Sequence, residues 1–106
     1  SLAADVIQYP VFLVSSAKAE ISVTCEHDDS SKYTKSWYRQ EKSKGLVLMG
    51  STTYTEKASM ESGFTDGRIE IKANTSQKNI LTIRNISATD NAVYYCASSE
   101  HSETVI

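Results

Sequence analysis

Asp90-Asn91-Ala92-Val93-Tyr94-Tyr95-Cys96 is the stretch on which the reading of this chain turns, taken together with Cys25 and the lone Trp37 upstream. Within it Ala92, Tyr94 and Cys96 alternate with Val93 and Tyr95, the period of two expected of a half-buried β-strand. A tryptophan lies twelve residues after the first cysteine, and a tyrosine lies two residues before the second. That spacing describes two β-sheets joined through one core. The fold class read from it is all-β, an antiparallel sandwich with one inter-sheet bridge.

Working outward, the same alternation recurs in short runs. Ala19, Ile21, Val23 and Cys25 share one face of a strand, with Glu20, Ser22 and Thr24 on the other. Ile69, Ile71 and Ala73 alternate with Arg68, Glu70 and Lys72, and Leu81 and Ile83 with Thr82 and Arg84. No segment sustains a helical period. The connectors Ser43-Lys44-Gly45, Thr65-Asp66-Gly67, Asn74-Thr75-Ser76-Gln77 and Ser87-Ala88-Thr89-Asp90 carry turn chemistry. The inward set predicts a core of Trp37 and Tyr94 against Cys25 and Cys96, surrounded by Ile21, Val23, Ile69, Ile71, Leu81, Ile83 and Ile86. Pro10 has no N–H to donate, so the first strand is expected at a sheet edge or at a switch between sheets.

A chain of 106 residues is read as one domain over 1–106, burying roughly 65% of its unfolded surface. Its 40% hydrophobic and 23% charged content is an ordinary globular balance. The net charge of −2 comes with dispersed Lys and Arg, which argues against a nucleic-acid partner. The longest apolar run, Leu46-Val47-Leu48-Met49, falls far short of a membrane span, so no direct membrane contact is expected. Ser1-Leu2-Ala3-Ala4 is too short for a signal peptide, and the chain reads as mature or trimmed. The two cysteines allow one bridge. Spacing alone leaves two free buried thiols as the alternative, but the alternating apolar context of both positions fits paired strands and favours a disulfide. Closing a loop of some seventy residues contributes about 4 kcal/mol in the chain-entropy model and implies an oxidising compartment. Asn74-Thr75-Ser76 and Asn85-Ile86-Ser87 are sequons, making Asn74 and Asn85 candidate glycosylation sites.

At this point the chain resembles the immunoglobulin V-set and, within it, the variable region of a T-cell receptor β chain. Ile7-Gln8-Tyr9-Pro10 is similar to the family's first-strand motif, Trp37-Tyr38-Arg39-Gln40 to its third core strand, and Asp90-x-Ala92-x-Tyr94-Tyr95-Cys96 to its strand F. Cys96-Ala97-Ser98-Ser99-Glu100 resembles the opening of a β-chain third hypervariable loop and is the most specific of the four matches. The resemblance covers roughly residues 5–100. The family continues into a strand G that begins Phe-Gly-x-Gly, whereas this sequence stops at Thr104-Val105-Ile106. The expectation is therefore a V-type sandwich with strand G truncated or missing and strand F bare along one edge. Such an edge invites pairing with another chain, so the isolated chain is expected to self-pair or to be only marginally stable.

The resemblance also assigns roles. Arg68 and Asp90 match the ion pair that closes one end of the sandwich, and Tyr94 occupies the position whose hydroxyl reaches backbone near Asp90. Alternation places Tyr38, Gln40 and Tyr95 opposite Trp37 and Cys96, on the outer face of one sheet. In V-sets that face, with Leu46 and Leu48 nearby, packs on a second V domain; aromatic anchors beside hydrogen-bonding groups suit such a contact. The first antigen-binding loop is placed at about 27–35, carrying His27, Asp28, Asp29, Lys32 and Tyr33. The second lies at about 51–57, with Thr53, Tyr54 and Glu56. The third runs from 97 to about 103, with Ser99, Glu100 and His101. Tyrosine among serine and threonine is paratope composition.

Enzymatic readings have little to stand on. His27 and His101 with Asp28 or Glu100 lack an oriented nucleophile and base, and Asp28-Asp29 alone is a solvated acidic pair, so no catalytic residue, metal or cofactor is expected. The resemblance implies the extracellular part of a cell-surface receptor that pairs with a T-cell receptor α-chain variable domain and binds a peptide–histocompatibility complex. Two alternatives stay open. One is a non-rearranging V-set receptor or adhesion domain. The other is an antibody light-chain variable domain, against which Arg39 and Ala97-Ser98-Ser99 argue.

Overall fold

The computed structural model describes residues 4–8, 19–27 and 33–99. Among the described residues, eight strands form two sheets: β1 (Ala4–Gln8), β2 (Ile21–Glu26), β3 (Thr34–Gln40), β4 (Val47–Thr53), β5 (Ser59–Met60), β6 (Ile69–Thr75), β7 (Lys78–Ile83) and β8 (Val93–Ser99). One sheet has the order β1-β8-β3-β4-β5, the other β2-β7-β6, and every pairing is antiparallel. A single turn of 3-10 helix, Ala88–Asp90, leads into β8.

The Cys25–Cys96 disulfide ties β2 to β8 across the sandwich. Around it lie Trp37, Met49, Ile69, Ile71, Leu81, Ile83, Ile86 and Tyr94, all buried, with Ile21 and Val23 partly buried against them. Several buried residues escaped the sequence reading, among them Met49, Asn79 and Thr82. Met49 is buried because β4 bulges: Trp37 pairs with Gly50 and Tyr38 with Leu48, so the register slips by one residue between them. Asn79 is fully buried because its side chain serves the core as a hydrogen-bonding strut, described below. Thr82 is shielded because β7 is the central strand of its sheet, and its hydroxyl meets that of Ser22 at 3.0 Å.

The expected bare edge on β8 is not there. Strand β1 runs antiparallel along it, from Ala4 opposite Ser99 to Gln8 opposite Tyr95, while β3 occupies the other side. From Tyr95 to Ser99 the backbone that was to drive self-pairing thus has a partner within the chain, and among the described strands the outer edge of this sheet passes to β1. Pro10, invoked for an edge position, lies outside the described residues, as do Asp28, Asp29, Lys32, Glu100 and His101.

Candidate recognition surfaces

The outer face of the five-stranded sheet is built by the phase that the core imposes. Trp37 and Cys96 point inward, so their neighbours Tyr38 and Tyr95, which pair directly across β3 and β8, point out and are half-buried. Gln40 continues the same row. The Tyr95 hydroxyl donates to Gln40 Oε1 at 3.4 Å, and Gln40 Nε2 donates to the Lys44 carbonyl at 3.0 Å. Leu48 is half-buried opposite Tyr38, while Leu46, just before β4, and Val47, its first residue, are 57% and 51% exposed. Leu46 and Leu48 share the face of the tyrosine row, whereas Val47 pairs with Arg39 and belongs to the other face; exposed apolar groups beside tyrosines are the kind of surface that marks an interaction site.

A second surface lies at the end of the sandwich where β3 begins and β4 and β8 finish. Here the strands run further than the sequence reading allowed. Thr34 and Lys35, assigned to the first loop, are buried residues of β3. Ser51, Thr52 and Thr53, assigned to the second, belong to β4, and Ala97, Ser98 and Ser99, assigned to the third, to β8. The reason is cross-strand pairing: Thr34 stands opposite both Thr53 and Ser99, so the ladder is unbroken to those residues. Hydroxyl pairs reinforce it, Thr34 with Thr53 at 3.2 Å and Ser36 with Ser51 at 2.7 Å.

Beyond the ladder, Tyr33 and Tyr54 stack, ring centroids 4.5 Å apart and planes within 8° of parallel. The Tyr54 N–H donates to the Tyr33 carbonyl at 2.9 Å, and the Glu56 N–H to the Thr53 carbonyl at 3.1 Å, so a tight turn carries Tyr54 outward. Glu56 is exposed, and His27, at the base of the first loop, is half-buried with its N–H bonded to the Gln77 carbonyl at 3.0 Å. Lys35 points inward like Trp37 and donates from Nζ to the Ser76 carbonyl at 2.8 Å, tying β3 to the β6–β7 turn. Burial lowers its pKa from the usual lysine value. Asn79 accepts from Trp37 Nε1 at 2.9 Å and donates to Thr52 Oγ1 at 2.9 Å, joining β7, β3 and β4 in one buried polar chain. Its only sequence signal was a polar residue in phase with Leu81 and Ile83.

The opposite end is closed by charge. Arg68 makes a two-pronged contact with Asp90, Nη2 to Oδ1 at 2.9 Å and Nη1 to Oδ2 at 3.2 Å, and Nη1 also reaches the Arg84 carbonyl. Ser87 N–H donates to Asp90 Oδ2 at 2.9 Å. Burial alone would raise the Asp90 pKa, but the Arg68 and Ser87 hydrogen bonds and the nearby charges of Arg68 and Arg39 outweigh it and hold the carboxyl below its usual value. The Arg39 guanidinium donates to the Thr89 carbonyl. Tyr94 donates to the Asp90 carbonyl at 2.7 Å, and burial pushes its hydroxyl up to about 12. Asn74 and Asn85 are both exposed, the latter in a left-handed conformation with φ 51°. Among the described residues no three His, Cys, Asp or Glu converge as a metal site, and no helix is long and apolar enough to cross a membrane.

The family model described as the immunoglobulin V-set domain matches residues 8–105. The chain belongs to that V-set family. Among its relatives, human T cell receptor beta variable 20-1 is 26% identical over 97 residues, covering 92% of this chain and 87% of the relative. Human T cell receptor beta variable 3-1 is 32% identical over 99 residues, covering 90% and 81%. A human sequence described as a probable non-functional T cell receptor gamma variable 10 is 30% identical over 95 residues, covering 86% and 80%. A solved chain, from work on T cell specificity and activation by the bacterial superantigen toxic shock syndrome toxin-1, superposes with a TM-score of 0.82 at 24% identity, covering 96% of this chain and 86% of that one. At that identity the superposition speaks for the fold. The V-set domain described here is similar to T-cell receptor variable regions of both β and γ type.

Proposed function

We propose that this V-set domain is the antigen-recognition variable domain of a T-cell receptor β chain. In this reading it spans the whole chain, stands on the extracellular side of a cell-surface receptor and acts by binding, not by chemistry. Its outer sheet face (Tyr38, Gln40, Leu46, Leu48 and Tyr95) packs on an α-chain variable domain. The three loops where β3 begins and β4 and β8 finish, carrying His27, Asp28, Asp29, Lys32, Tyr33, Thr53, Tyr54, Glu56, Ser99, Glu100 and His101, meet a peptide–histocompatibility complex. Asn74 and Asn85, exposed on the flank, are the positions where a sugar would be carried.

The observation that carries the pairing is the tyrosine–glutamine row with exposed Leu46 and half-buried Leu48 beside it. Left in water these groups gain nothing; against a second domain they supply anchors with a hydrogen-bonding rim. Co-refolding with an α-chain variable domain tests it. A one-to-one heterodimer is expected, weakened at least tenfold by Tyr38→Ser with Gln40→Ala. Failure to pair, or pairing indifferent to both substitutions, would overturn the assignment. The similarity to a γ variable region favours one second reading, a γ-type domain whose partner is a δ variable domain. Refolding in competition between α and δ partners separates the two.

A further inference from the structure

The Tyr33–Tyr54 stack is built in a way that filling space does not require. Tyr54 is a bulky residue held at φ 54°, in the left-handed region, where a side chain costs about 1–2 kcal/mol. Tyr54 nonetheless remains 48% exposed. The ring stack and the Tyr54 N–H bond to Tyr33 hold the strained turn in place. Strain retained at an exposed position is a mark of use by a ligand.

We infer that the stacked pair is a docking platform for an arginine guanidinium on the surface this domain recognises. The inference rests on the reading of the first two loops as recognition surfaces and names the chemistry they select. The stack occupies one face of each ring, Tyr54 is still 48% exposed, and an accessible ring face attracts a cation. The residues that follow Tyr54 in the chain supply a rim of exposed groups that accept hydrogen bonds, the Thr55 hydroxyl and the Glu56 carboxylate. An apolar partner would strip water from these groups and from the tyrosine hydroxyls and return nothing. A guanidinium lies flat on the ring and turns its five N–H donors outward to that rim. A lysine ammonium is compact and strongly hydrated, and does not cover the ring in the same way.

The test is to pan a phage-displayed random peptide library on the full 106-residue chain, on Tyr54→Ser and on Tyr33→Phe with Tyr54→Phe, each first shown to keep the wild-type circular dichroism. Arginine is expected to be enriched among peptides bound by wild type and by the double Phe variant, and not among those bound by Tyr54→Ser. For an enriched peptide, replacing its arginine with citrulline, which has the same shape without the charge, should weaken binding to wild type about three- to tenfold. If Tyr54→Ser fails to fold, Tyr54→Leu, which keeps an apolar side chain but removes the π face, takes its place in the comparison. Absent arginine enrichment, equal enrichment on Tyr54→Ser, or citrulline binding as well as arginine would each overturn the platform. These outcomes are independent of whether an α-chain domain pairs, so failure of the platform and failure of the receptor reading remain separate results.

Discussion

At the scale of single residues, the interior is specified by a few polar groups with defined partners. Asn79 is the clearest. Its carboxamide accepts from the Trp37 indole and donates to Thr52, so one buried side chain joins three strands of two sheets. Asn79→Ala removes both bonds and opens a small void. The expected loss is about 2–3 kcal/mol, read as a lower midpoint in urea unfolding; a change below about 0.5 kcal/mol would mean the network contributes nothing net. Asp90 gives a prediction in pH. Its folded-state pKa is depressed below 3.8, so its contribution is fully present above the unfolded value and is lost as pH falls through the folded one. Asp90→Asn should therefore cost about 2 kcal/mol at pH 7 and flatten the acid limb below pH 4. Urea titrations of both proteins at pH 7 and pH 3 measure it; parallel acid limbs would remove Asp90 as their source.

At the scale of elements, the bulge in β4 sets the packing between the sheets. It turns Met49 into the core and places Gly50 opposite Trp37. A Cβ built on Gly50 would come within 2.8 Å of the Ser59 carbonyl, 2.9 Å of Met60 Sδ and 3.1 Å of Ile71 Cδ1. The first of these is backbone of β5 and cannot yield as a side chain tip would. Gly50→Ala should push β5 away from β4 at a cost of about 1–3 kcal/mol, visible as a lower melting temperature and faster amide exchange at Ser59 and Met60. Unchanged exchange there would show that β5 is not held by this contact. The bulge also shows where the sequence stopped being legible. Alternation phased β2, β6, β7 and β8 correctly, because in each of them every second side chain faces the core. It could not phase β4, since a bulge breaks the period, and Leu46-Val47-Leu48-Met49 offers no polar residue to mark a face. Nor could it end the loops. Thr34, Thr53 and Ser99 look like loop residues by composition, and only their mutual cross-strand pairing makes them strand. Tyr33 and Tyr54 were legible as loop tyrosines, but a stack between residues 21 apart in sequence is a fact of three dimensions.

At the scale of the whole molecule, the decisive arrangement is β1 against β8. The sequence led to an open β8 edge because its strand pattern was read with no partner on that side. The partner is the chain's own N-terminal strand, which no local pattern could have placed there, since register between distant strands is set only when both exist. Strand β1 has β8 as its sole hydrogen-bonded neighbour among the described strands, so its attachment depends on one ladder of five residue pairs. Removing residues 1–8 would strip that ladder and bare β8 from Tyr95 to Ser99 while leaving the disulfide and the core residues in place. An uncovered strand edge is a template for another strand, so the shortened chain should associate where the full chain does not. Sedimentation velocity from 1 to 100 µM is the measurement. The full chain is expected to sediment as monomer at the low end, and the shortened chain to shift to dimer and larger species with a lower melting temperature. A shortened chain that stays monomeric with an unchanged melting temperature would show that β1 neither protects the edge nor contributes to stability, and that the remaining four strands of its sheet hold without it.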